Sequence, residues 1–176
     1  MTTHQTISGV MVCLYGKGIL LRGPSGIGKS ECALKLLDRG HQLLSDDAVT
    51  IDKIDNQIIA SAPELLVGRL NVRELGIIHV EQHFGVQALC KKHRVDLIIE
   101  LLVEKSKQAL NVLPLEYATQ TLLGIEIPCV QLTPSPQRDI ALLIEMATQQ
   151  AIQRERGFNI NQAFITQANE KIGQPS

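Results

Sequence analysis

The sequence predicts an α/β domain built on a mixed β-sheet, and three observations carry that expectation. The pattern G-x-x-x-x-G-K-S runs from Gly23 to Ser30, between an apolar β-prone run and a stretch with helical spacing. Two pairs of β-prone runs, one of them feeding that loop, are separated by short turn-forming residues and read as hairpins. A nearly all-apolar run, "VDLIIELLV" from Val95 to Val103, has the composition of a central strand covered on both faces.

Taken in order, "VMVCLY" (Val10 to Tyr15) reads as a strand, "GKG" (Gly16 to Gly18) as a tight turn and "ILLR" as the returning strand. After the glycine loop, "KSECALKLLDRG" places Ala33, Leu34, Leu36 and Leu37 at helical spacing, with Gly40 positioned to end the helix in a left-handed turn. "HQLLSDD" reads as a short buried strand that ends in two carboxylates. In "AVTIDKIDNQIIASA" the Asp55-Asn56 pair sits between two alternating runs, which predicts a second hairpin. "IPCVQL" (Ile127 to Leu132) reads as a further strand. The proline-bearing bend "TPSPQRD" then enters a helix whose Ile140, Leu143, Ile144 and Ala147 share one face and which Gly157 can cap. A more polar helix is expected from Asn161 to about Ile172, and "VEKSKQALNVLPLEY" (Val103 to Tyr117) as a loop. The expected organisation is one domain over residues 1–176, with a core at about 7–148 and a C-terminal helical tail at about 149–176.

Composition excludes several function classes. A chain of 176 residues buries roughly two-thirds of the surface that its unfolded form exposes, enough for one hydrophobic core. Lys+Arg 17 against Asp+Glu 18 provides no global attraction to nucleic acid or to an anionic membrane. With no Trp, three Phe and two Tyr, few platforms exist for stacking bases. Cys13, Cys32, Cys90 and Cys129 form no C-x-x-C pair, so they read as reduced, mostly buried thiols. No apolar run approaches the about 20 residues that span a bilayer, and the N-terminus has no leader pattern, so the expected location is cytoplasmic.

The chemistry sits in the glycine loop, formed by Gly23, Pro24, Ser25, Gly26, Ile27, Gly28, Lys29 and Ser30. Gly23, Gly26 and Gly28 let the backbone turn its N–H groups onto a phosphate, and the helix that starts near Lys29 adds its positive end. Lys29 supplies a point charge to the β- and γ-phosphate oxygens, and Ser30 a hydroxyl to Mg²⁺. Nucleotide binding follows from these residues; the destination of the phosphate does not. For that, Asp46 and Asp47 stand at a strand end, where open α/β sheets place their ligands. Adjacent carboxylates in an extended segment point to opposite sides, so one can face a metal and the other an acceptor; the bland alternative is a pair of solvated turn carboxylates. In "GRLNVRELGII" (Gly68 to Ile78), Arg69 and Arg73 interrupt an apolar segment, fit either to stabilise phosphate charge or to pair with Glu74. His79 and His83 in "HVEQH" lack the H-E-x-x-H pattern, in a segment that reads as strand rather than helix.

At these residues the chain resembles the catalytic domain of the bacterial HPr kinase/phosphorylases. The stretch "GVMVCLYGKGILLRGPSGIGKSECALKLLDRGHQLLSDDAVTI" is similar to that domain's core, and "LNVRELGII" to its signature L-E-I-R-G-x-G-I-I. "LLGIEIP" and "PSPQRDIALLIEMA" are similar to its late segments, and the match runs from about Ile7 to Ala147.

The resemblance implies a P-loop domain of the phosphoenolpyruvate-carboxykinase-like type that uses ATP and Mg²⁺ to phosphorylate a serine of the phosphocarrier protein HPr. It also implies the reverse reaction with inorganic phosphate, which releases pyrophosphate. It assigns Asp46 as the base for phosphorylation and the acid for the reverse step, with Asp47 beside it as a metal-side carboxylate. Ser30 becomes a metal ligand, Lys29 and Arg73 act on the phosphate, Arg138 is a phosphate or substrate contact, and the assembly is a homo-hexamer. Relatives carry an N-terminal domain, so a stand-alone catalytic-domain form is expected. The signature glutamate, a metal ligand in the family, falls on Asn71, an amide that is a poorer partner for Mg²⁺ than a carboxylate. The histidine of the family's H-G-V falls on Ser8, and the glycine after the signature arginine is Glu74. These departures sustain two other readings: an ATP-binding regulatory module with weak or no transfer, and a kinase with a changed acceptor. An unrelated small-molecule kinase predicts an arginine-rich lid, and no such segment is present.

Overall fold

The computed structural model describes residues 3–103, 118–157 and 166–170. Two sheets and two principal helices form three layers. The larger sheet has six strands: β2 (Val10–Leu14), β3 (Lys17–Arg22), β4 (Gln42–Ser45), β10 (Leu97–Leu101), β11 (Ala118–Leu122) and β12 (Ile125–Leu132), in the order β11-β12-β10-β3-β2-β4. A four-stranded sheet lies across it with β1 (His4–Ser8), β5 (Ala48–Ile54), β6 (Gln57–Ser61) and β9 (Lys92–Arg94), in the order β1-β5-β6-β9. A separate hairpin pairs β7 (Arg69–Val72) with β8 (Gly76–His79). The helices that pack on these sheets include α1 (Lys29–Asp38), α2 (Val80–Phe84) and α3 (Ile140–Glu155).

Side-chain alternation explains the layering. On β2 the residues Val10, Val12 and Leu14 pack with Leu36 and Leu37 of α1 and with Ile140 and Ile144 of α3. The intervening Met11 and Cys13 face the other way, onto Val49, Ile51, Ile58 and Ala60 of the four-stranded sheet. A strand buried on both faces has no solvated side, so its sequence reads as one continuous apolar run. The same argument accounts for β10, which pairs in parallel with both β3 and β12.

Both expected hairpins form. Asp55 and Asn56 adopt φ 49° and 65°, the two left-handed residues of a type I′ turn. In the first hairpin the turn lies at Tyr15-Gly16 (φ 52° and 77°) rather than at Gly16 to Gly18, because Lys17 already pairs with Leu14, and Gly18 with Cys13. Gly18 serves a different end: a Cβ there would meet Arg94 O at 2.0 Å, so glycine lets the strand entering β10 cross close above β3. Helix α1 ends with Gly40 at φ 94°, and α3 starts with Asp139 accepting a bond from Leu142 N and ends before Gly157 at φ 88°.

The segment after His79 was expected to be extended and is instead α2, a single short helix anchored by the buried Val80, with Val80 N donating to Gly68 O. Five residues hold too few turns for periodicity to distinguish helix from strand. Residues 166–170 are helical, within the expected polar helix from Asn161 to Ile172. The rest of that helix, and of the Val103 to Tyr117 loop beyond Val103, lies outside the described residues.

Candidate functional site

β4 runs antiparallel to β2, which runs antiparallel to β3, so β3 and β4 point the same way and their C-terminal ends share one edge of the sheet. The glycine loop leaves β3 at this edge and the Asp46-Asp47 pair leaves β4. Gly9, which opens β2 between them, donates its N–H to Asp47 O at 3.1 Å. The resulting cleft holds about 450 Å³. Its lining includes Ser8, Gly26, Lys29, Asp46, Asn71 and Arg73, which brings together residues from four separated parts of the chain.

The loop has the backbone that its glycines predict. Gly26 and Gly28 take φ 82° and 106°, and Gly28 immediately precedes α1. Gly23 has a further reason to lack a side chain: a Cβ there would stand 2.6 Å from Leu101 O at the end of β10. Lys29 Nζ donates to Gly23 O at 2.8 Å and to Pro24 O at 3.0 Å, which folds the ammonium back over its own loop.

Asp46 is buried, at 4% exposure, and both of its oxygens are engaged. Oδ1 accepts from Ser30 Oγ at 2.8 Å and Oδ2 accepts from the main-chain N–H of Asn71 at 2.9 Å. Burial pushes the Asp46 carboxyl above the ordinary aspartate value, and the bonds from Asn71 and Ser30 oppose this only in part. Asp47 differs from its neighbour in every respect: it is exposed and adopts a left-handed φ of 71°. The expected extended pair, one carboxylate on each side, is therefore replaced by one buried carboxylate at the end of β4, held against Ser30 in the first turn of α1, and one solvated carboxylate in a bend. A register shift in the β2–β4 pairing between Met11 and Val12 accompanies the departure from extended geometry.

The hairpin β7–β8 closes the cleft from the side. Asn71 approaches Asp46 through its backbone while its exposed side chain lines the cleft, and the backbone contact does not depend on the residue type. Arg73 follows β7, with Nη2 3.9 Å from where a Cβ of Gly26 would stand. Among the described residues Arg73 forms no ion pair with Glu74, the equally simple account open from sequence. Glu74 sits at φ 75°, a left-handed position that costs a non-glycine residue about 1 kcal/mol. Arg69 pairs across from His79 on β7–β8 and does not line the cleft. Arg138 also lies outside it: its guanidinium donates to Thr133 O at 3.3 Å. Ser8, Gly9 and Glu31 line the cleft without having been singled out as site residues on their own chemistry; the glycine between two β-prone runs was the available signal for Gly9.

The sequence profile of the HPr Serine kinase C-terminal domain matches residues 1–168. The chain is 40% identical over 172 residues to the HPr kinase/phosphorylase of Alkaliphilus metalliredigens, covering 97% of this chain and 56% of that protein. It is 34% identical over 178 residues to the HPr kinase/phosphorylase of Caldicellulosiruptor bescii, covering 98% and 57% respectively. The chain thus spans a little over half the length of these relatives. The solved structure of the Hpr(Ser) kinase/phosphatase from Coxiella burnetii superposes with a TM-score of 0.82 at 34% identity, over 91% of this chain and 98% of that one. A profile that covers nearly the whole chain, relatives of this identity and a shared fold agree: the chain belongs to the HPr serine kinase C-terminal domain family.

Proposed function

We propose that this chain is the catalytic part of an ATP- and Mg²⁺-dependent phosphotransferase that acts on a serine of HPr or a related phosphocarrier. One observation carries the reading: the loop serine and the strand-end carboxylate, Ser30 Oγ and Asp46 Oδ1, meet at 2.8 Å inside the cleft. The residues present fit a triphosphate and a divalent cation. Gly26 and Gly28 turn the loop backbone, Lys29 holds its charge within that loop, and the Ser30 hydroxyl with the solvated Asp47 carboxylate at the cleft wall offers oxygen donors of the kind that Mg²⁺ takes. When bound there, Mg²⁺ supplies charge neutralisation on the phosphate oxygens.

The protein's own groups divide the remaining work. Lys29 leaves its two carbonyl partners for the phosphate oxygens, and Arg73, across the loop, adds a second positive charge as the phosphoryl group departs. Asp46 takes the proton of the attacking serine hydroxyl, a task suited to a carboxyl whose proton affinity is raised by burial. The terminal phosphoryl group passes to the serine oxygen, and the diphosphate leaves with the electron pair of the broken bond. In the reverse direction Asp46 returns the proton to serine as inorganic phosphate accepts the phosphoryl group and becomes pyrophosphate. Asp47, solvated at the cleft wall, adds negative charge on the metal side. Association into a homo-oligomer, a hexamer by family resemblance, belongs to the same reading.

Asn71 favours a second reading, since the side chain it presents to the cleft is an amide where the family signature has a carboxylate. On that reading the chain binds ATP and transfers little. Labelled ATP, Mg²⁺ and purified HPr distinguish the two: serine phosphate that disappears with Asp46→Asn supports the phosphotransferase, and tight nucleotide binding without transfer supports the binding module. A mass measurement in solution run beside it reads the oligomer.

A further inference from the structure

Two cavities meet at the glycine loop. The first is the cleft at Asp46; the second, of about 300 Å³, lies between α1 and the bend that joins β12 to α3. Gly28 and Glu31 line both, so the two spaces adjoin at the start of α1.

Strand order puts them on opposite sides of the loop. β10 pairs in parallel with β3 and with β12, so all three strands end at the edge where the loop leaves β3. In the order β11-β12-β10-β3-β2-β4, Asp46 follows β4 on one side of the loop, and the bend from Thr133 to Asp139 follows β12 on the other. A triphosphate seated in the loop has two ends. For transfer its terminal phosphate faces Asp46 and Arg73, so the end that carries the nucleoside leaves towards β12.

The linings match that division. Lys29, Asp46 and Arg73 make the first cleft charged, whereas Ile27, Pro134, Pro136 and Ile140 give the second mainly apolar walls. Small-molecule pockets start at about 300 Å³ and combine such walls with a few polar groups. The bend is built before any ligand arrives. Arg138 N donates to Ser135 O at 3.1 Å, the Arg138 guanidinium donates to Thr133 O at 3.3 Å, and Asp139 caps α3. Proline at 134 and 136 fixes φ at two positions of the wall, so little freedom is lost on binding.

We propose that the second cavity is the nucleoside subsite, holding the base between Ile27 and the Pro134 to Pro136 bend, with the Glu31 carboxylate accepting from ribose hydroxyls at the shared rim. The inference rests on the nucleotide reading given above. Apolar walls hold a base by contact area rather than by a pattern of hydrogen bonds. The nucleoside and the acceptor serine then approach the loop from opposite sides.

The test compares, by titration calorimetry on the full chain with Mg²⁺, the affinity for ATP with that for inorganic tripolyphosphate. Ser135 also lines the cavity, and Ser135→Trp fills it while keeping the main-chain oxygen that accepts from Arg138 N. The variant should bind ATP at least about tenfold more weakly, with tripolyphosphate binding changed by less than about twofold. Photolabelling of the wild-type chain with 2-azido-ATP, mapped by mass spectrometry, should mark residues between Pro134 and Ile140. Unchanged ATP affinity in Ser135→Trp, an equal loss for both ligands, or a label confined to the Asp46 side overturns the proposal. If the wild type binds neither ligand, the nucleotide reading falls and this inference with it. If it binds both and fails only the variant and label tests, that reading stands and this one does not. The label on the wild-type chain decides even where the variant does not fold.

Discussion

Ser30 Oγ donates to Asp46 Oδ1 at 2.8 Å, joining the first turn of α1 to the end of β4 across a strand, β2, that separates their parent strands in the sheet. The bond exists because two antiparallel pairings in succession return β4 to the direction of β3. It places a carboxylate against the loop's hydroxyl.

Replacing Asp46 by Asn separates chemistry from stability. The amide oxygen can accept from Asn71 N and the amide nitrogen can donate to Ser30 Oγ, so both bonds survive. Because burial raises the Asp46 pKa in the folded state, its stabilising contribution is complete below the unfolded aspartate value and is lost as pH rises through the folded one. At neutral pH the charged carboxylate is a cost. Asp46→Asn should therefore lower phosphoryl transfer at least about a hundredfold while the Tm at pH 7 holds or rises. Asp47→Asn should stay within about tenfold at saturating Mg²⁺. Transfer kinetics and thermal unfolding measure the pair.

Asn71→Glu returns a carboxylate to the cleft without touching the main-chain bond to Asp46. The Mg²⁺ concentration for half-maximal transfer should fall by about tenfold, whereas Asn71→Ala should leave it near the wild-type value. A metal titration at fixed ATP gives the answer.

Gly18→Ala tests how closely the two layers approach. Its Cβ would stand 2.0 Å from a backbone oxygen, Arg94 O, which cannot rotate away, and 2.7 Å from the end of the Met11 side chain. A loss of about 3 kcal/mol or more is expected, against a negligible change for a solvent-facing substitution such as Gln57→Ala. Urea unfolding provides the comparison.

Acid stability should depend on Glu145 of α3. Its carboxylate accepts from His41 Nε2 at 2.7 Å and from Tyr15 at 3.3 Å, and it pairs with Arg39. Burial alone would raise its pKa, but the bonds from Arg39 and His41 prevail and hold it below the usual glutamate value. A lowered folded pKa gives stability that is present above the unfolded value and is lost as pH falls through the folded one. Below about pH 4.5 the wild-type Tm should decline more steeply than that of Glu145→Gln, which has lost the contribution at every pH. Thermal scans between pH 3 and 7 compare the two slopes.

Local chemistry made much of this protein readable in one dimension. The glycine loop announced itself because glycine adopts φ near 82° and 106° without steric cost, and the Asp55-Asn56 turn because it needs two left-handed residues in succession. The central strand β10 was legible as an apolar run because both of its faces are covered. Three strands gave weaker signals. β1 is almost entirely exposed, β9 has three residues, and β7 alternates polar with apolar positions over only four residues, so each is too short or too exposed for its pattern to stand out.

Sequence alone therefore determined that a phosphate-binding loop joins a strand to a helix, and that two adjacent carboxylates end another strand. Which carboxylate meets the loop was decided by tertiary structure. The bend after β4 buries Asp46 against Ser30 and turns Asp47 out to solvent at φ 71°. The approach of Asn71 N to Asp46 has the same origin. Each joins residues far apart in the chain, so strand order and layer packing, not local propensity, fix the distance between them.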